Sequence, residues 1–171
     1  MTTQQSESKA IVLGPDDGDS FWQPLPANGF VRNLLNTAKT GGAAQFSMGT
    51  QTVAANSFIR EHTHEDHEEI IFVLQGRGIA RIEGVDHPLE AGSCAYIGSG
   101  IKHHFLNPND EPLSFTVLLM PGGLDDFFAR IGRAKTPGDT APEPFPRPEN
   151  IAEIERETVF GWVDSSFNQK K

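Results

Sequence analysis

HTHEDHEEIIFVLQG, residues 62–76, sets three histidines and four acids in front of an apolar run that closes on glycine. In an extended chain successive side chains point to opposite faces, so His62 and His64 lie on one side, close enough to share an ion. Five residues past His64, Glu69 opens a strand whose Ile71 and Val73 share its face. If that face is interior, Glu69 is an isolated carboxylate among apolar neighbours, costly to bury unless it meets a cation. The run from Glu65 to Glu68 between them reads as a solvated turn, which leaves His67 out of the set. Further along, GSCAYIGSGIKHHFLN offers His103, with Phe105 on the same face and His104 on the other. Three imidazoles and one carboxylate form a mixed nitrogen and oxygen site suited to a divalent first-row metal. Taken alone, an H-x-H pair fits an ordinary charged turn equally well. All six histidines, however, fall between positions 62 and 104. His87, before Pro88, reads as a surface turn residue, and Cys94 as a small core residue.

Outward from this stretch the chain keeps one rhythm. Short apolar runs of strand character alternate with Gly, Asn and Asp, the pattern of an all-β sandwich or barrel. It predicts strands over 31–35, 45–48, 52–60, 70–75, 78–83, 93–97, 103–107 and 114–119, joined so closely that neighbours pair antiparallel. After Pro121, Leu124, Phe127, Phe128 and Ile131 fall at the spacing of one helix face, with Asp125 and Asp126 in the first turn. Residues 136–148 carry five prolines (TPGDTAPEPFPRP), which favour an extended, polyproline-like arm. A second short helix is expected over 149–158, with Ile151 and Ile154 inward. The expected organisation is therefore an N-terminal arm over 1–29, a barrel over 30–120, an amphipathic helix over 121–134, and a proline-rich arm with a short helix over 135–171.

Composition narrows the partners. A chain of 171 residues suits one domain with a real core. Twenty-three acids against fourteen bases give a formal charge of −9, and the longest basic run is Lys170-Lys171, so nucleic acid is not an expected partner. The polar start, MTTQQSESKA, lacks the apolar core of a secretory signal, and no stretch approaches the roughly 20 apolar residues of a membrane span. A cytoplasmic protein without a membrane partner is expected. The single cysteine agrees with a reducing compartment.

These residues resemble the cupin family, whose two motifs are G-x5-H-x-H-x4-E-x6-G and G-x5-P-x-G-x2-H-x3-N. The first is matched by His62, His64, Glu69 and Gly76, with Asn56 in place of the leading glycine. The second is matched by Gly92, Gly100, His103 and Asn107, with Gly98 in place of proline. The resemblance implies a double-stranded β-helix barrel of the jelly-roll kind. It also implies one divalent transition metal (Fe, Mn, Ni, Co, Zn or Cu) inside, held by His62, His64, Glu69 and His103. A homodimer is implied too, with residues 11–36, including Phe21, Trp22 and Phe30, packed across the interface. PGGLDDFFARIG and PRPENIAEIERE are similar to the C-terminal segments of quercetinase-like single-domain cupin dioxygenases.

Four protein ligands on a six-coordinate metal leave room for a small-molecule substrate and dioxygen. In this expectation Glu69 is the catalytic base, accepting a hydroxyl proton from an enolisable or hydroxylated aromatic compound. Phe46, Phe58, Phe105, Phe115 and Ile71 point inward on strand parity, either as walls for a flat substrate or as an ordinary barrel core. Arg60 shares the parity of His62 and His64, and either holds a substrate carboxylate or phenolate or stays solvated at the barrel mouth. A metal-dependent dioxygenase or related oxidoreductase is the first expectation. A non-redox lyase, isomerase or decarboxylase comes second, and a small-molecule sensor without turnover third. The dimethylsulfoniopropionate-cleaving cupins carry tyrosine two residues past the glutamate, where this chain has Ile71.

Overall fold

A computed structural model describes residues 9–166; residues 1–8, with most of the polar start, and 167–171, with the lysine pair, lie outside the described residues. The elements are β1 (Asp19–Trp22), β2 (Phe30–Asn36), the single turn α1 (Thr37–Thr40), β3 (Ser47–Val53), β4 (Ser57–Phe58), β5 (Glu68–Gln75), β6 (Arg77–Ile82), β7 (Val85–Glu90), β8 (Cys94–Ile97), β9 (His103–Asn107), β10 (Leu113–Met120), α2 (Leu124–Ile131), β11 (Arg133–Lys135) and α3 (Ile151–Glu157). The strands form a seven-stranded sheet in the order β11-β1-β2-β3-β10-β5-β8 and a four-stranded sheet in the order β4-β9-β6-β7. Every pairing is antiparallel. This is the jelly-roll barrel, two sheets sharing one interior.

Strict alternation positions the site. Along β10 the inward residues Leu113, Phe115, Val117 and Leu119 are buried and their neighbours half-exposed. Along β9 the same parity sends His103, Phe105 and Asn107 inward, so an apolar strand face delivers an imidazole to the interior. The barrel core is Val53, Ile71, Val73, Ala80, Leu89, Ile97, Phe105, Leu113 and Phe115. A second cluster joins Val31, Val117 and Leu119 of the larger sheet to Leu124, Phe127, Phe128 and Ile131 of α2, Ile151 and Ile154 of α3, and Val159. The proline-rich arm docks rather than hanging free. Phe145 is buried, its carbonyl accepts from Leu25 N at 2.9 Å, and the Arg133 guanidinium lies 3.9 Å over its ring.

Several strand expectations need correction. The expected break between 48 and 52 is absent, because β3 runs unbroken through Gly49. That position is glycine because a Cβ there would meet the Arg32 carbonyl at 2.5 Å. The expected strand 52–60 is instead split by a turn at Asn56, which has φ 52°. The family motif has glycine at that position, and asparagine is among the few other residues that tolerate the left-handed conformation. VDHPLE, expected as a turn, is β7; Pro88 is tolerated because β7 is a sheet edge, where a missing N–H breaks no ladder. The short strands β1 and β11 have no expected counterpart. They pair with each other, and β1 pairs with β2, so Phe21, Trp22 and Phe30 are engaged within their own chain. Cys94 is exposed on edge strand β8 rather than in the core.

Candidate metal centre

His62 and His64 lie on an extended segment between β4 and β5, held to its neighbours by single bridges rather than a full ladder. His62 pairs with His103 through both N–H···O bonds, each 3.0 Å, and also bridges Val163. The pairing with β9 brings His62 and His103, far apart in the chain, onto one spot. The three imidazoles each offer a nitrogen within 4.8 Å of the others'. Ring centroids stand 4.2 Å apart for His62 and His103, and 4.9 Å for His62 and His64.

Each ring is oriented by a backbone carbonyl. Nδ1 of His62 lies 2.7 Å from the Arg60 carbonyl, that of His64 2.9 Å from Val159, and that of His103 2.9 Å from Ile101. A carbonyl only accepts, so each Nδ1 carries the proton and each Nε2 is turned to the common space, the arrangement in which a second partner fixes a metal-binding tautomer. Nε2 of His64, Nε2 of His103 and Oε2 of Glu69 are buried without a hydrogen-bond partner. Orphaned buried donors and acceptors are rare, and these three fit a bound cation. Glu69, buried on β5, adjoins the triad with Oε2 3.0 Å from His103 Nε2, in ionic contact but not along a hydrogen-bond direction.

Electrostatics follow from burial and neighbours. Burial, reinforced by His103 and His64, holds His62 well below its ordinary value, and burial holds His64 below its own against the pull of Glu69. Burial opposes charge on His103 as well, but contact with Glu69 outweighs it and lifts this imidazole. The converse holds at Glu69: burial alone would raise its carboxyl, and His103 keeps it low. His103 and Glu69 therefore favour each other's charged forms, while burial disfavours charge on His62 and His64.

The centre opens into a pocket of about 570 Å³, its solvent-filled mouth included, lined by His62, His64, Glu69, Ile59, Arg60, Phe105, Phe160 and the α2 residues Leu124, Phe127, Phe128 and Ile131, among others. Of the aromatic residues expected as substrate walls, Phe105 lines it. Phe115 is packed in the barrel core, and Phe46 and Phe58 are half-buried away from the lining. Ile71 likewise belongs to the core. Phe46 precedes β3 and Phe58 sits beside the Asn56 turn, where strand parity no longer dictates direction. Arg60 is buried, not solvated, and is ion-paired to Glu155 of α3 while donating to the Asp164 carbonyl at 3.0 Å. His67 is half-buried outside the triad, with its ring 6.2 Å from that of His64; His87 is exposed and His104 half-buried.

What sequence reasoning missed is the C-terminal wall. Phe160 packs edge-on against His62 at 5.2 Å and Phe127 at 4.5 Å and tilted against His64 at 5.1 Å, Thr63 N donates to Trp162 O, and Arg147 reaches the same pocket. The apolar α2 stripe is both helix-packing face and pocket wall, two roles that one spacing pattern cannot separate.

Comparison with known proteins agrees with this geometry. The Cupin domain model matches residues 49–119. Protein SchB of Streptomyces halstedii is 37% identical over 109 residues, covering 61% of this chain and 73% of SchB. The chain belongs to the cupin superfamily. This cupin is also 31% identical to the polyketide synthase CurC of Streptomyces cyaneus, over 54% of its own length and 60% of that protein's. The crystal structure of a predicted oxalate decarboxylase from Thermotoga maritima superposes with a TM-score of 0.56 at 23% identity, covering 66% of this cupin and 99% of that chain; at that identity the likeness is one of fold. A metal cofactor suits this cupin, since its histidine triad is positioned to bind one. Among the described residues no helix is long and apolar enough to cross a membrane.

Proposed function

We propose that this cupin is a metal-dependent enzyme acting on a flat, enolisable or hydroxylated aromatic compound, with dioxygenation as its chemistry. The observation that carries the proposal is the set of orphaned buried atoms, Nε2 of His64, Nε2 of His103 and Oε2 of Glu69, facing one space while each Nδ1 is committed to a carbonyl. His62, His64, His103 and Glu69 are the residues that would hold the ion, which supplies Lewis-acid polarisation of a substrate oxygen. Phe105, Phe127 and Phe160 exclude water and hold a flat body against the imidazoles. Glu69 accepts the substrate hydroxyl proton at a carboxylate oxygen, leaving an electron-rich enolate or phenolate carbon. Dioxygen attacks that carbon, a carbon–carbon bond breaks, and both oxygen atoms end in the products.

A second reading is favoured by the likeness to SchB and CurC, the latter a polyketide synthase protein. In it the same proton abstraction leads to non-redox rearrangement or bond formation within a polyketone. Dioxygen uptake by the iron, manganese, cobalt and nickel forms against a flavonol and β-diketone panel separates the two. Oxygen consumption with product gaining both atoms supports dioxygenation. Product of unchanged mass, formed equally under nitrogen, supports the second reading. Inactivity of every metal form with both compound classes counts against both.

A further inference from the structure

Among the residues lining the pocket are two arginines, Arg60 and Arg147, far apart in the chain, and the acid they share, Glu155, is not part of the lining. Arg60 takes the Glu155 carboxylate in close ionic contact; Arg147 Nη1 stands at 3.5 Å from the same Oε1. One buried carboxylate therefore faces two guanidiniums whose side chains are 4% and 13% exposed. The carboxylate that does line the pocket, Glu69, lies against His103. Of the two, Arg147 is the more loosely held by that carboxylate, in a largely apolar pocket where an incompletely compensated charge is costly.

Arg147 is a guanidinium with an unmet donor. Its Nε donates to the Leu25 carbonyl at 3.2 Å, whereas Nη1 is buried without a hydrogen-bond partner among the described residues. Burial and the repulsion of Arg60 together outweigh Glu155 and push Arg147 down to about 9. The arm holds it firmly: Pro146 and Pro148 flank it, Phe145 is buried beside it, and fixed φ angles limit its freedom. A pre-placed cation with an unmet donor is the arrangement that recognises an anionic oxygen with little ordering cost.

We propose that Arg147 anchors an anionic oxygen of the substrate, so that this pocket selects an apolar, flat acid, bearing a carboxylate or an ionised hydroxyl, over its neutral counterpart. The proposal rests on the small-molecule pocket of the preceding section and adds the charge of the ligand. It gives the proline-rich arm a place in the site, as the segment that brings a specificity-determining cation to the pocket.

The test uses fluorescence titration of the full chain at neutral pH with 2-naphthoate and uncharged 2-naphthamide, in metal-free and zinc-loaded protein. The expected result is binding of naphthoate about 10-fold or more tighter than naphthamide in both forms, as a charge-assisted hydrogen bond supplies. The preference should fall to near unity in Arg147→Gln and survive in part in Arg147→Lys. Equal binding of acid and amide by the wild type, or an undiminished preference in Arg147→Gln, overturns the proposal. A preference seen only with zinc overturns it too, because the carboxylate would then sit on the metal. If Arg147→Gln does not fold, the wild-type comparison and the lysine variant decide. Because the metal-free arm needs no turnover, failure of the dioxygenase proposal leaves this result readable, and the reverse also holds.

Discussion

The carbonyl of Val159 lies 2.9 Å from Nδ1 of His64, ninety-five residues earlier in the chain. A segment outside both cupin motifs thus fixes the tautomer and tilt of a candidate metal ligand, and the next residue, Phe160, covers the rings of His64 and His62.

Protein purified without chelators should carry about one first-row divalent ion per chain, and the double variant His62→Ala, His103→Ala should carry nearly none. Elemental analysis after gel filtration checks this. Stoichiometric metal in the double variant would remove the site.

Metal uptake should release about one proton per ion near neutral pH. His103 is raised by Glu69, so it keeps a proton at Nε2 to higher pH than a free imidazole, and the ion must displace it. His62 and His64 are lowered and contribute no proton there. Affinity should therefore fall as pH falls through the raised value of His103, and release should fade above it. Calorimetry of metal binding in buffers of different ionisation enthalpy measures the count; zero release at pH 6.5 would show that the pair is not charged.

Phe160→Ala should weaken metal retention by about 10-fold, the usual effect of loosening the residues that orient ligands. It should also cost about 2 kcal/mol of stability, below the full value for a buried phenylalanine because this ring is only half-buried. Competition with a chromogenic chelator and urea unfolding measure the two separately.

Glu155→Gln leaves Arg60 and Arg147 buried without their shared counterion. Removing one partner of a buried pair costs about 3 kcal/mol, so the variant should unfold at markedly lower urea. Saturating 2-naphthoate should restore more stability to it than to the wild type. Unchanged unfolding would show that solvent compensates the two guanidiniums.

Much of the barrel was legible because strand alternation is a local property. The parity of His103 with Phe105, and of Leu113 with Phe115, Val117 and Leu119, is written in consecutive residues and survives folding unchanged. The motif glycines behave likewise: Gly76 has φ 84°, and a Cβ there would sit 2.2 Å from the Pro112 carbonyl, so no other residue fits. Asn107, the last motif residue, directs its amide to the carbonyls of Val53, Ala54 and Glu111, tying β9 to two turns. Strands of three or four residues such as β1 and β11 escape notice, since so few positions show no period and their stability comes from the partner alone.

By itself the sequence determined the fold class and the nitrogen and oxygen set gathered at the centre, because residue type and short-range spacing decide both. Only the tertiary structure decided which aromatics face that centre, that Arg60 is committed to Glu155, and that Arg147, Phe160 and the Val159 carbonyl complete the wall. Those contacts join positions about a hundred residues apart, where no local period carries information and long-range packing alone chooses the partner.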